Sequence, residues 1–121
     1  MSELYLDPLT GMEIVARRHA RDRARYSVRH DEVYHGNGDF IAAAQCYLRP
    51  PGERGLLSRT QVPGMWPWAA EDWHPEHDDR IGELAKAASL IISEIDRLQR
   101  EKERERMARG EWHRPTLEVS E

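Results

Sequence analysis

Five residues with metal-ligating or acid-base side chains, His30, Asp31, Glu32, His35 and Asp39, fall within one short stretch. Glu32 and His35 are spaced i, i+3, the interval at which helical carboxylate-histidine metal sites put both donors on one face. The zinc-protease helix is matched only in part, because Asp31 stands where its first histidine is needed and Gly36 follows at once. A second group, His74, Glu76, His77, Asp78 and Asp79, offers the same hard and borderline donors. Acidic residues also gather at helix starts because the helix dipole favours negative charge there, and for both groups that reading is preferred. His30, Glu32, His35, His77 and Asp78 are therefore carried only as candidate metal ligands. No residue is assigned a catalytic role.

The second feature is aromatic. Trp66-Pro67-Trp68 and Trp73 lie within eight residues of each other, and the first half of the chain is rich in arginine from Arg17 to Arg29. Arginine and tryptophan carry much of the energy of binding interfaces, since they combine large area with directed polar contacts. Arg18, Arg21 and Arg25, at steps of three and four, are expected to form one stripe, faced from the loop by Trp68 and Trp73. Trp66 is expected in the core. Cys46, between Gln45 and Tyr47, reads as a packed thiol rather than a nucleophile. The chain has no nucleophile elbow, phosphate loop or dinucleotide fingerprint.

These residues need elements to position them, and the sequence supplies three helices. Thr10-Gly11-Met12-Glu13 fits a capping box, in which the threonine hydroxyl and the glutamate carboxylate satisfy each other's backbone N–H groups. The first helix is expected over about 11–27, with Met12, Ala16, Ala20 and Ala24 on its apolar side. Gly36-Asn37-Gly38 is a turn, and Asp39 is expected to cap a second helix over 40–48, which buries Phe40, Ala43, Ala44 and Tyr47. Residues 49–75 hold most of the prolines and keep no period, so they are expected to be irregular and draped across the helices. The third helix, about 79–109, carries Ile81, Leu84, Ala88, Ile91, Ile95 and Leu98 in alternating steps of three and four, a heptad seam that requires a partner helix. From Arg100 the charges Glu101, Glu103, Glu105, Arg104, Arg106 and Arg109 can pair along the helix, and Gly110 ends it before a disordered tail, 111–121. The expectation is one all-α domain over residues 1–110, with the first two helices against the first half of the third.

Composition sets the outer limits. A chain of 121 residues holds one core, and 18 basic against 22 acidic side chains, a net charge of −4, oppose direct DNA binding. No apolar run approaches the roughly 20 residues of a membrane span. One cysteine excludes an intrachain disulfide. The N-terminus shows no secretory pattern, so a cytoplasmic protein is expected. The seam outlasts what two short helices can cover, which predicts a homo-oligomer through Ile91, Ile95 and Leu98.

His30-Asp31-Glu32, Ala43-Ala44 with Cys46-Tyr47, Trp66-Pro67-Trp68 with Trp73-His74-Pro75, and the run Lys86-Ala87-Ala88-Ser89-Leu90-Ile91 leading to Glu94-Ile95-Asp96-Arg97 occur in an order that resembles a widespread, largely uncharacterised family of small phage- and prophage-encoded proteins. The resemblance covers about 12–100 and implies a viral setting in a bacterial host more firmly than an activity. Three functions are carried from the residues. The first is a non-catalytic accessory protein that neutralises a host component, either a defence protein or a nucleotide signal, through the arginine stripe and the tryptophan loop, with no cofactor. The second is a metal-dependent nucleotide pyrophosphohydrolase of the all-α MazG kind, needing Mg or Mn held by carboxylates on packed helices. Against it, Glu94 and Asp96 do not share a face, and the first helix offers only Glu13 and Asp22. DNA binding is the third.

Overall fold

The structure is a computed structural model that describes residues 8–25, 38–57 and 61–110. The expected last turn of the first helix, the donor group from His30 to His35 and the tail 111–121 lie outside these residues. Within them the chain is all-α, with three α-helices, two short 3-10 turns and no strand beyond a single bridge between Leu56 and Pro63.

Helix α1 spans Gly11–Arg25 and opens with the capping box. The Glu13 N–H donates to Thr10 Oγ1 at 3.1 Å, and the Thr10 N–H donates to Glu13 Oε1 at 2.7 Å. Helix α2 spans Asp39–Leu48. Its start differs from expectation, since Asp39 lies inside the first turn and Gly38 precedes it at φ 85° with no side-chain cap. Glycine reaches that left-handed conformation without steric cost and turns the chain into the helix by itself. Helix α3 spans Arg80–Ala108, with Asp79 as a true cap accepting from the Gly82 N–H at 2.9 Å. At its far end Gly110, at φ 79°, donates to Met107 and closes the helix as expected.

Both α1 and α2 pack on α3. They do so on the side opposite the heptad seam. The buried positions of α3 are Glu83, Ala85, Lys86, Ala87, Ser89, Ser93, Glu94 and Arg97, whereas Ile81, Leu84, Ile95 and Leu98 are 64%, 42%, 51% and 45% exposed. Helix α1 is turned in the same sense. Met12 and the alanine row 16, 20 and 24 are exposed, and the half-buried stripe is Val15, Arg18, His19 and Asp22. Helix α2 buries Phe40, Ala43, Ala44, Cys46 and Tyr47, as its pattern required.

The apolar core is small. Ala44, Cys46, Tyr47, Val62, Trp73 and Ala87 form it, with Trp66, Leu90 and Ile91 packed at its edge. Burial raises the Cys46 thiol above its ordinary value, against the pull of Arg49 and Arg54, which fits a packed rather than reactive sulfur. The segment after α2 is irregular but tied down. Arg54, itself buried, donates to both oxygens of Glu83, at 3.0 and 2.7 Å, and to the carbonyls of Tyr47 and Arg49. Arg80 reaches the Tyr47 and Leu48 carbonyls and Glu83 from the other side. Two guanidinium groups thus satisfy the C-terminal carbonyls of α2, which no helical N–H can reach.

Candidate functional site

The candidate site is the charged junction where α1, α3 and the strap 74–76 meet. Its residues come from three places because α3 turns its polar face inward. From α1, the step of four between Arg18 and Asp22 sets both side chains on one face, with Arg18 Nε 3.4 Å from Asp22 Oδ1. Glu76 is fixed by its backbone N–H, which donates to Glu83 Oε2 at 3.0 Å. Its carboxylate lies 3.0 Å from Lys86 Nζ and 3.7 Å from Arg18 Nη1. Lys86 also donates to the His74 carbonyl and stands 5.2 Å from the centre of the Tyr47 ring. Gly82 leaves room for these carboxylates, because a Cβ there would meet Asp79 Oδ2 at 2.5 Å and Glu76 Oε1 at 2.8 Å and force them to shift.

A hydrogen-bonded chain crosses the same junction. The buried Ser89 hydroxyl donates to Asp22 Oδ2 at 2.7 Å, and His19 Nδ1 lies 3.0 Å from Ser89 Oγ. The hydroxyl has one proton and gives it to Asp22, so Nδ1 is the donor toward Ser89. His19 Nε2 stands 3.7 Å from Asp96 Oδ2. Aspartates from two different helices therefore sit at the two ends of one His-Ser chain. Bonded to Asp22 and His19 of α1, Ser89 ties α1 to α3.

Beside the junction, burial by itself would push the Glu83 carboxyl up. The Arg54 guanidinium, the Glu76 N–H and Arg80 outweigh burial and hold it below its ordinary value. The Tyr47 hydroxyl is pushed up to about 12 by burial, against the hydrogen bond it accepts from the His74 N–H.

The expected binding residues are distributed differently from the sequence reading. Arg18 is half-buried inside the junction, while Arg21 and Arg25 are exposed. Trp73 is 9% exposed, stacked on Tyr47 at 4.7 Å, with Arg54 over its other face at 5.3 Å. Trp66 is the less buried of the two and lies edge-on to Tyr47, Trp68 and Trp73, its Nε1 donating to the Ala69 carbonyl. Trp73, expected on the binding face, is in the core, which it enters before the chain turns into α3, and Trp66 packs at the edge of that core. Trp68 is half-buried, edge-on to Phe40 at 6.2 Å. The five rings of the tryptophan segment and α2, Trp66, Trp68, Trp73, Phe40 and Tyr47, thus serve one internal cluster.

His77 and Asp78 are exposed on the turn before α3, and His77 lines a pocket of about 260 Å3 whose wall includes Arg54, Val62, Trp73 and Pro75. Among the described residues no three His, Cys, Asp or Glu side chains stand together to hold a metal ion. The carboxylates show why: Asp22 is taken by Ser89 and Arg18, and Glu76 by Lys86 and Arg18.

Sequence reasoning missed His19, Lys86, Ser89 and Asp96, and the structural pair Arg54 and Glu83. A signal was present for part of this. Glu83, Lys86, Leu90, Ser93 and Arg97 form a second i, i+3, i+4 stripe on the third helix, parallel to the apolar seam and on the other side. Nothing local marks Arg54 as the partner of Glu83.

The fold defines the class as a small all-α domain, and no helix among the described residues is long and apolar enough to cross a membrane. No protein-family model, no curated protein and no solved structure matches this chain.

Proposed function

We propose that this chain acts on a nucleotide, releasing pyrophosphate from a nucleoside triphosphate in the manner of the all-α MazG-type enzymes, with the phosphates received at the junction of α1 and α3. The observation that carries the reading is the inversion of α3. Burying charge costs several kcal/mol per ion before pairing returns any of it, and α3 has apolar side chains enough to have faced inward instead. It keeps Glu83, Lys86, Ser89, Ser93, Glu94 and Arg97 inside. Titratable groups gathered in a partly enclosed junction are where chemistry is usually found. Arg18 and Lys86 are the cations suited to phosphate oxygens. Asp22 and Asp96 answer part of the sequence objection, since the acids come from two packed helices and need not share a face on one.

The described carboxylates alone do not make a divalent-metal site, so no step is derived through a metal. In this reading the ligands come from Asp31, Glu32 and His35, which lie outside the described residues and follow α1 in the chain. Copies of the chain assemble through Ile91, Ile95 and Leu98, and the protein works in the cytoplasm of a bacterial host, in the phage or prophage setting the resemblance implies.

The test is incubation with nucleoside and deoxynucleoside triphosphates in Mg or Mn. Pyrophosphate release lost in Glu32→Ala, and cut at least about a hundredfold in Asp22→Asn with helicity intact, is expected. No release from any nucleotide with either metal overturns it. A second reading, capture of a host protein or nucleotide signal without turnover, is favoured by the exposed Arg17, Arg21 and Arg25 on the outer side of α1. Nucleotides that shift the tryptophan emission without being consumed would favour it.

A further inference from the structure

We propose that two copies of this chain pair as an antiparallel, two-fold dimer along the outer face of α3, with the axis at the level of Ser89 and Leu90. This refines the assembly proposed above and is independent of the nucleotide reading. The six seam positions, Ile81, Leu84, Ala88, Ile91, Ile95 and Leu98, keep the same spacing read in either direction. Laid on a reversed copy, Ile81 meets the partner's Leu98, Leu84 the partner's Ile95, and Ala88 the partner's Ile91. Because α1 and α2 pack on the opposite side of α3, Ile81, Leu84, Ile95 and Leu98 stay exposed in the described protomer, and only Ala88 and Ile91 are half-buried.

Several observations choose the second copy and its direction. Ile81, Leu84, Ile95 and Leu98 are all exposed along one face of α3, and a large exposed apolar patch on a monomer is often functional. A stable dimer needs about 800 Å2 per partner. The overlap from Arg80 to Gln99, roughly 30 Å of helix, adds the half-buried Ala88, Ile91 and Ile92 and the flanking side chains toward that area. The antiparallel pairing also sets the smallest seam residue against a large one, Ala88 against Ile91, where a parallel pair would leave Ala88 facing Ala88.

The end of the stripe agrees. The apolar seam stops at Leu98, although α3 continues to Ala108. In the antiparallel overlap Leu98 lies opposite the first turn of the partner's α3, so the charged extension runs past it into solvent. In a parallel pair the next seam positions would set Lys102 against Lys102 and Glu105 against Glu105, which is destabilising. The antiparallel arrangement places Asp79 at the level of the partner's Arg100, and opposed helix dipoles favour it further.

The experiment measures the mass of the full chain in solution, with helicity followed by circular dichroism. A dimer at tens of micromolar is expected. Leu84→Lys and Ile95→Glu, both at sites exposed in the protomer, should each weaken association at least about a hundredfold. An equimolar mixture of the two single variants, and the double variant by itself, should return to within about tenfold of the natural chain, because the new charges meet across the antiparallel overlap. A monomeric natural chain overturns the assembly. A dimer that neither the mixture nor the double variant restores overturns the antiparallel register and leaves the assembly standing, and neither outcome bears on pyrophosphate release.

Discussion

The inner face of α3, from Glu83 to Arg97, carries charge and is buried, while the outer face, from Ile81 to Leu98, carries isoleucine and leucine and is open. One helix therefore presents two opposite solutions to burial. Inside, each charge is matched: Glu83 by Arg54 and Arg80, Lys86 by Glu76, and Glu94 by Arg97 at 2.9 Å. Outside, Ile81, Leu84, Ile95 and Leu98 stand exposed in the described protomer. A charged surface can be buried in a small domain when loops and neighbouring helices deliver counter-charges in fixed geometry. An apolar surface can be left out when another surface is to meet it.

Removing one member of the inner network should cost most. Glu83→Ala leaves Arg54 buried without its carboxylate, and a loss of about 3–5 kcal/mol is expected in urea unfolding. Ile81→Ala on the outer face should change the dilute protomer by no more than about 0.5 kcal/mol. Equal costs for the two would break the contrast between the faces.

Trp73→Ala removes the ring stacked between Tyr47 and Arg54, and about 3 kcal/mol or more is expected from thermal unfolding. Trp68, half-buried at the edge of the cluster, should cost clearly less on the same substitution.

Ser89→Ala sharpens the comparison at the α1 contact. It removes one hydroxyl and leaves Asp22 and His19 short of a partner, so about 1–2 kcal/mol is expected. Amide hydrogen exchange should show the loss concentrated in α1 rather than α2. Uniform loss would mean that the His-Ser chain does not hold α1 in place.

The gentlest perturbation is pH. Glu83 titrates below its ordinary 4.5, so its stabilising contribution is complete above that pH and is lost as the pH falls through the lowered folded value. Tyr47 behaves in the opposite sense. Its hydroxyl is raised from 10.0 to about 12, so the contribution is complete below 10 and is lost as the pH rises toward 12. The unfolding midpoint of the wild-type chain should fall at both ends. In Glu83→Gln the acid-side fall should be smaller, and an unchanged acid limb would remove Glu83 as its source.

Sequence alone determined the elements and their limits. Thr10 and Glu13 marked the start of α1, proline after Leu48 the end of α2, and Gly110 the stop of α3, because caps and breakers act within a turn of where they stand. The buried face of α2 was also legible, since that helix has one apolar stripe and one core to fill. Tertiary structure alone decided which face of α3 turns inward. That helix carries two stripes of the same period, one apolar and one charged, and periodicity shows that a stripe exists without saying what will lie against it. The choice depended on Arg54, 29 residues before Glu83, and on His19 and Asp22, about 70 before Ser89, arriving with hydrogen bonds that make the charged face the better one to bury. Contacts between residues so far apart leave no local mark in the chain, which is why the candidate site emerged only once the helices were packed.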